Sequence, residues 1–222
     1  MKDFFKTIRF NHKTNWNKES LQSLLFGTVL FIIALVLQKF ANDYLLSLKG
    51  VAVDDLILKN IPSIDIDFFI IQGALILTAI IVLLFLAKPK YLCFGLKAVS
   101  MFIIIRSFFI ILTHLGAVPT QIVLDKNSVG FWLYDILFNS SNDYFFSGHT
   151  GLPFLMALIF WPEKLWRYFF IFASVVLGAS VLLTHIHYSI DVFAAPFITY
   201  SLFVLTRKVF GKDFAVTQRD SE

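Results

Sequence analysis

Apolar runs long enough to cross a bilayer constrain this chain more than any other feature, because a hydrocarbon core about 30 Å thick asks for roughly 17 to 25 such residues in a helix. Six segments meet that length: 21–40, 68–87, 91–115, 144–160, 165–184 and 190–206, the last interrupted by Pro196 and expected to be shortened and kinked there. Of the 222 residues 58% are hydrophobic and 15% charged, more apolar side chain than one water-soluble core can hide. The fold expected is therefore an all-α, polytopic bundle of six transmembrane helices. A tail of residues 1–20 precedes a membrane domain of residues 21–210, and a second tail covers 211–222. The first run follows a basic stretch as a signal peptide would, but it is long and no small-residue cleavage motif follows it, so it reads as a retained helix.

Basic residues near span ends stay cytoplasmic, which orients the bundle. One set of connections holds Lys2, Lys6, Arg9, Lys13, Lys18, Lys88, Lys90, Lys164, Arg167, Arg207, Lys208, Lys212 and Arg219. The other holds Lys49, Lys59 and Lys126, with Lys39 at a span end, beside Asp43, Asp54, Asp55, Asp65, Asp67, Asp125, Asp135 and Asp143. Both termini are thus expected in the cytoplasm, and the acidic loops 41–67 and 116–143 outside. The net charge of +4 is distributed along span ends instead of forming one patch, which argues against nucleic acid as a partner. Cys93 is the single cysteine, so no intramolecular disulfide forms.

Ionisable groups inside spans are costly to insert, so their positions carry information. Here they gather at one depth. The fourth span opens with Asn142-Asp143-Tyr144-Phe145-Phe146-Ser147-Gly148-His149-Thr150, the sixth is entered through His185-Ile186-His187-Tyr188-Ser189-Ile190-Asp191, and the third brings Arg106 to its outer half with His114 beyond. His187 and Asp191 are four apart and would share a helix face, where the carboxylate can hold one imidazole nitrogen as N–H and raise the basicity of the other. His187 then suits attack on phosphorus, forming a phosphoimidazole. His149 suits the proton transfers, to the leaving oxygen and later from the acceptor hydroxyl. Arg106, the Ser147 hydroxyl and the Gly148 amide are candidate donors to the phosphoryl oxygens. Lys97, nearer the other side, reads as a structural ion-pair partner, and His114 and His185 as supporting or interfacial residues. His149, His185, His187 and Asp191 could instead hold zinc. Residues two apart on a helix point away from each other, so His185 and His187 would chelate together only from an extended link, and no metal or other cofactor is expected.

The stretch Phe146-Ser147-Gly148-His149-Thr150 followed by His187-Tyr188-Ser189-Ile190-Asp191 resembles the sphingomyelin synthase branch of the PAP2 lipid phosphatase superfamily. The resemblance covers roughly residues 100–210. It implies six helices with cytoplasmic termini and a catalytic triad of His149, His187 and Asp191 on the exoplasmic side. Asp143 looks like the acidic residue that family carries before Ser-Gly-His, and Arg106 with Thr113, Leu115 and Pro119 resembles its third-helix motif. Ordinary PAP2 phosphatases carry Ser-Arg ahead of the nucleophilic histidine, where this chain has Ser180-Val181, and a Lys-x6-Arg-Pro motif, where Arg106 is followed by Ser107. Those departures favour the synthase-like branch. The activity implied is movement of a phosphorylated headgroup from a glycerophospholipid to ceramide or diacylglycerol through a phosphohistidine, with membrane lipids as the substrates. The alternatives are a lipid phosphate phosphatase handing phosphate to water, and a non-catalytic lipid-binding or scrambling protein. The short chain suits a bacterial relative in the inner membrane.

Overall fold

The computed structural model describes residues 16–48, 50–138 and 144–218. Helix α1 (Lys18–Leu46) is followed by α2 (Asp67–Ala87), a 3-10 turn (Pro89–Tyr91) that leads into α3 (Leu92–Thr113), the short α4 (Phe131–Phe138), α5 (Gly148–Ile159), α6 (Lys164–Leu183), α7 (Ser189–Val209) and the terminal α8 (Gly211–Thr217). Asn17 starts α1 by accepting the Ser20 amide at 2.8 Å. His114 ends α3 in the left-handed conformation, φ 47°.

Helices α1, α2, α3, α6 and α7 are long and apolar enough to span a membrane, and the chain is an integral membrane protein. The expected fourth span differs. Its helix, α5, has 12 residues and a length of roughly 18 Å, short of the bilayer core. Residues 144–146 are not helical, and Ser147 caps the helix by accepting the Thr150 amide at 3.4 Å. A short helix is tolerable here because α5 is central: it packs on α6 and α7 and also meets α2 and α3. Leu155, Met156, Ala157 and Ile159 have no exposed surface, so α5 is walled by protein where a peripheral helix would need lipid. The expected shortening at Pro196 is also absent, as α7 runs through it to Val209. Neighbouring helices let membrane helices tolerate an interior proline.

At the end of the bundle away from His149, stacked aromatics close the core: Phe160 lies against Phe85, Tyr91 and Phe170 with ring centroids 4.5 to 5.9 Å apart. Lys97 is buried on α3, and its ammonium meets Asp213 of α8 at 2.5 Å and the Ser23 hydroxyl of α1 at 2.7 Å. It is a structural ion-pair partner, tying the last helix to the first and third.

At the other end, the segment between α1 and α2 is strapped over the entrance to α7. Gly50 and Gly116 meet backbone to backbone, since a Cβ on Gly50 would lie 2.6 Å from the Leu115 carbonyl. The Tyr188 hydroxyl donates to the Gly116 carbonyl at 2.9 Å and accepts the Val53 amide at 3.2 Å. Asp55 accepts the Ser189 amide, the first of α7, at 2.7 Å through one oxygen, and the Ile57 and Leu58 amides through the other. A helix start leaves such amides without partners, and a carboxylate supplies one. Partial burial disfavours the charged Asp55, but the Leu58, Ser189 and Ile57 amides and the Ser189 hydroxyl outweigh it and hold the carboxyl below its usual value.

Two stability predictions follow from these ties. Removing one member of a buried ion pair leaves the other uncompensated, so Asp213→Ala should cost about 3 kcal/mol. The double variant Lys97→Met/Asp213→Leu should recover most of that in thermal unfolding of solubilised protein, and equal losses in both would refute the pairing. Asp55→Ala should cost about 1 kcal/mol at neutral pH, the usual worth of a lost cap. Because the folded carboxyl titrates below the unfolded one, its stabilisation is full above about pH 4 and fades as pH falls through the folded value. The melting gap between wild type and Asp55→Ala should therefore close on acidification. A gap that widens would contradict the assignment.

Candidate active site

The two histidine motifs are held together by backbone before any side chain is considered. The Ser147 amide donates to the Asp191 carbonyl at 3.0 Å, which sets the start of α5 beside the start of α7. Asp191 occupies the first turn of α7 and is fully buried. One carboxylate oxygen accepts the Tyr188 amide at 3.1 Å and lies 3.2 Å from His187 Nδ1. His187 itself precedes the helix, so the pair meets through this cap and not by sharing a helix face, as four-residue spacing had suggested. The consequence for the imidazole is the same. Nδ1 carries the proton toward the carboxylate, and Nε2 keeps its lone pair.

His149 sits in the first turn of α5 with its ring 6.2 Å from that of His187, centroid to centroid, and inclined at 65°. Its Nε2 is 3.2 Å from the Tyr134 hydroxyl. Arg106 comes from α3, almost entirely buried, and its Nε donates to the Phe146 carbonyl at 2.8 Å. The guanidinium lies against the start of α5, where a Cβ on Gly148 would be in ordinary van der Waals contact with it, 3.4 Å from its central carbon. Ser147 is fully buried with its oxygen at the α5 cap.

A cavity of about 460 Å³ ties these groups to the membrane. Its head is formed by Arg106, Tyr144, Gly148, His149 and His187, while its walls are apolar side chains of α1, α2 and α3, reaching Phe85 and Leu96 deep in the bundle. A polar head on a long apolar shaft has the shape and chemistry of a lipid site.

The expected residues separate accordingly. Arg106, Gly148, His149 and His187 line the cavity, and Asp191 stands behind His187. Ser147 is engaged in capping and does not line it. Asp143 lies outside the described residues. His114 is exposed, its Nε2 3.4 Å from the Tyr44 hydroxyl, and so remains at the interface. His185 turns away from the cavity, with Nδ1 2.6 Å from the Thr120 hydroxyl. Among the described residues no three His, Cys, Asp or Glu side chains converge as metal ligands would. Tyr134, Tyr144 and Asp55 were not singled out from sequence. For Tyr134 the available signal was the apolar segment 131–138, helical here within a stretch that reads as loop.

Residues 140–208 match the family model described as PAP2 superfamily C-terminal. Over 70 residues, 29% of this chain, the sequence is 41% identical to phosphatidylcholine:ceramide cholinephosphotransferase 1 of Homo sapiens, and equally to that of Sus scrofa and Mus musculus. The match spans 17% of the length of these relatives. No solved structure matches the chain. Residues 140–208, which supply His149, His187 and Asp191, are thus similar in sequence to the PAP2 superfamily C-terminal domain and, in part, to phosphatidylcholine:ceramide cholinephosphotransferase.

Proposed function

We propose that the chain is a membrane lipid phosphotransferase of sphingomyelin synthase type, moving a phosphorylated headgroup from a glycerophospholipid to the hydroxyl of ceramide or diacylglycerol. The homology indicates a lipid phosphotransferase or phosphatase, and one observation carries the finer reading. The imidazole of His187, backed by buried Asp191, faces that of His149 at the head of an otherwise apolar cavity. That shaft takes the chains of a lipid donor, and the likeness to the cholinephosphotransferases favours a second lipid over water as the acceptor.

In the first half-reaction the His187 Nε2 lone pair attacks phosphorus and the bond to the diacylglycerol oxygen breaks. His149, protonated, gives that oxygen its proton. The headgroup phosphate is left on His187, and Asp191 balances the charge that builds on the ring. In the second half, neutral His149 takes the proton of the acceptor hydroxyl as its oxygen attacks phosphorus. The N–P bond breaks and both histidines return to their starting states. In this reading Arg106 and the Gly148 amide, both lining the cavity head, donate to the phosphoryl oxygens, where charge is greatest in the transition state. With the basic loops in the cytoplasm, this site opens on the opposite, extracytoplasmic face, in a bacterial inner membrane.

Purified protein in mixed micelles, given headgroup-labelled phosphatidylcholine and ceramide, should produce diacylglycerol and a new headgroup lipid in equal amounts. His149→Ala should slow this by about 10²- to 10⁴-fold, the usual worth of general acid–base catalysis. Asp191→Asn, which upsets the His187 tautomer, should cost on the order of 10³-fold or more. Label should be trapped on the protein in an acid-labile linkage that His187→Ala abolishes. Free phosphate from phosphatidate with no new lipid would make water the acceptor and defeat the transferase reading. An active His187→Ala would defeat the covalent route altogether.

A further inference from the structure

The two facing imidazoles have different partners, and the difference is chemical. His187 is backed by a carboxylate, which only accepts, so its Nδ1 is N–H and its tautomer is set. His149 is backed by the phenol of Tyr134, at 3.2 Å from Nε2. With Nδ1 giving and taking the transferred proton, Nε2 stays N–H in both states of the ring, and the phenol oxygen accepts from it throughout. It therefore holds the ring in either state without choosing between them.

The phenol is also built in. Tyr134 has no exposed surface, although Trp132 and Ile136 on the same short helix α4 are 68% and 70% exposed. Its ring packs beside Phe138, and both flank His149 with centroids 6.1 and 6.3 Å away. The turn before α4 is fastened to α2, with the Gln72 amide donating to the Val129 carbonyl at 2.7 Å and the Ser128 hydroxyl to Asp67 at 3.1 Å. Gly130 takes the left-handed conformation, φ 85°, that this turn needs, and its carbonyl accepts the Tyr134 amide at 3.0 Å. Among the described residues the charged or titratable side chains that act on His149 are His187 and Arg106, the Ile70 backbone also bonds the ring, and the phenol is its neutral side-chain partner.

We infer that Tyr134 is the positioning residue of His149, keeping its imidazole in place through both the proton-donating and the proton-accepting halves of the transfer. The inference rests on the phosphotransferase reading above, and its test separates the two. Tyr134→Phe keeps the ring and removes only the hydroxyl. With the lipid donor, kcat should fall about ten- to a hundredfold, as for a misplaced catalytic group, while KM stays within about twofold. An aryl phosphodiester whose leaving group is p-nitrophenolate needs no proton at departure. First-turnover release of nitrophenolate should therefore be nearly unchanged in Tyr134→Phe, yet lost in His187→Ala. Tyr134→Gln, which can again donate and accept, should recover part of the lipid rate. The inference is overturned if Tyr134→Phe matches wild type on the lipid donor, or if it slows both donors equally, as a collapsed site would. A His187→Ala variant still active on both donors would instead overturn the phosphotransferase reading.

Discussion

The Asp191 carboxylate, buried without access to water, is the group on which the site depends. Such a charge is tolerable only where hydrogen bonds replace its hydration. Here the Tyr188 amide and His187 Nδ1 both serve one of its oxygens, while the residue's own carbonyl receives the Ser147 amide from the second motif. One residue thus starts a helix, orients an imidazole and joins two segments some forty positions apart in sequence. Around it the constraints are reciprocal. Asp55 caps the same helix from the strapping loop, and Tyr188 fastens that loop to the end of α3.

The membrane explains why these polar groups lie at one level. Ionisable side chains at mid-depth are expensive, so a reaction involving lipid headgroups is best served near the end of a bundle, with the apolar chains accommodated below. α5 fits this requirement by being short. Capped at Ser147, it leaves residues 144–146 outside the helix, and the Phe146 carbonyl becomes the anchor for Arg106. A full-length span starting at residue 144 would have carried those carbonyls into the helix ladder.

What could be read in the sequence follows the range of the forces concerned. Apolar runs reveal spans because burial in lipid acts residue by residue, and the boundaries of α2, α3, α6 and α7 fall within a few residues of those runs. The pairing of His187 with Asp191 was legible from their spacing, although its geometry is that of a cap. Lys97 was legible as a structural residue because an isolated buried ammonium needs a counter-charge. Its partner Asp213 was not, since it lies 116 positions away on a segment that reads as a tail. Tyr134 and Asp55 escaped for the same reason. Their roles come from loops folding back on the bundle, and nothing local distinguishes them from other tyrosines and aspartates.

The asymmetry between the two imidazoles also bears on why one site can run both halves of a transfer. A nucleophile benefits from a fixed tautomer, because a ring that carries its N–H on the attacking nitrogen cannot attack. An acid that must become a base benefits from a partner that favours neither of its charge states. A carboxylate beside His149 would favour the imidazolium and hinder release of the proton to the leaving oxygen, just as a phenol beside His187 would leave its tautomer open. Exchanging the two partners would leave the same residues at the same distances, but with neither histidine suited to its step. Division of labour between like residues is thus set by what stands behind them, and here those supports arrive from separate elements, the first turn of α7 for one and α4 for the other.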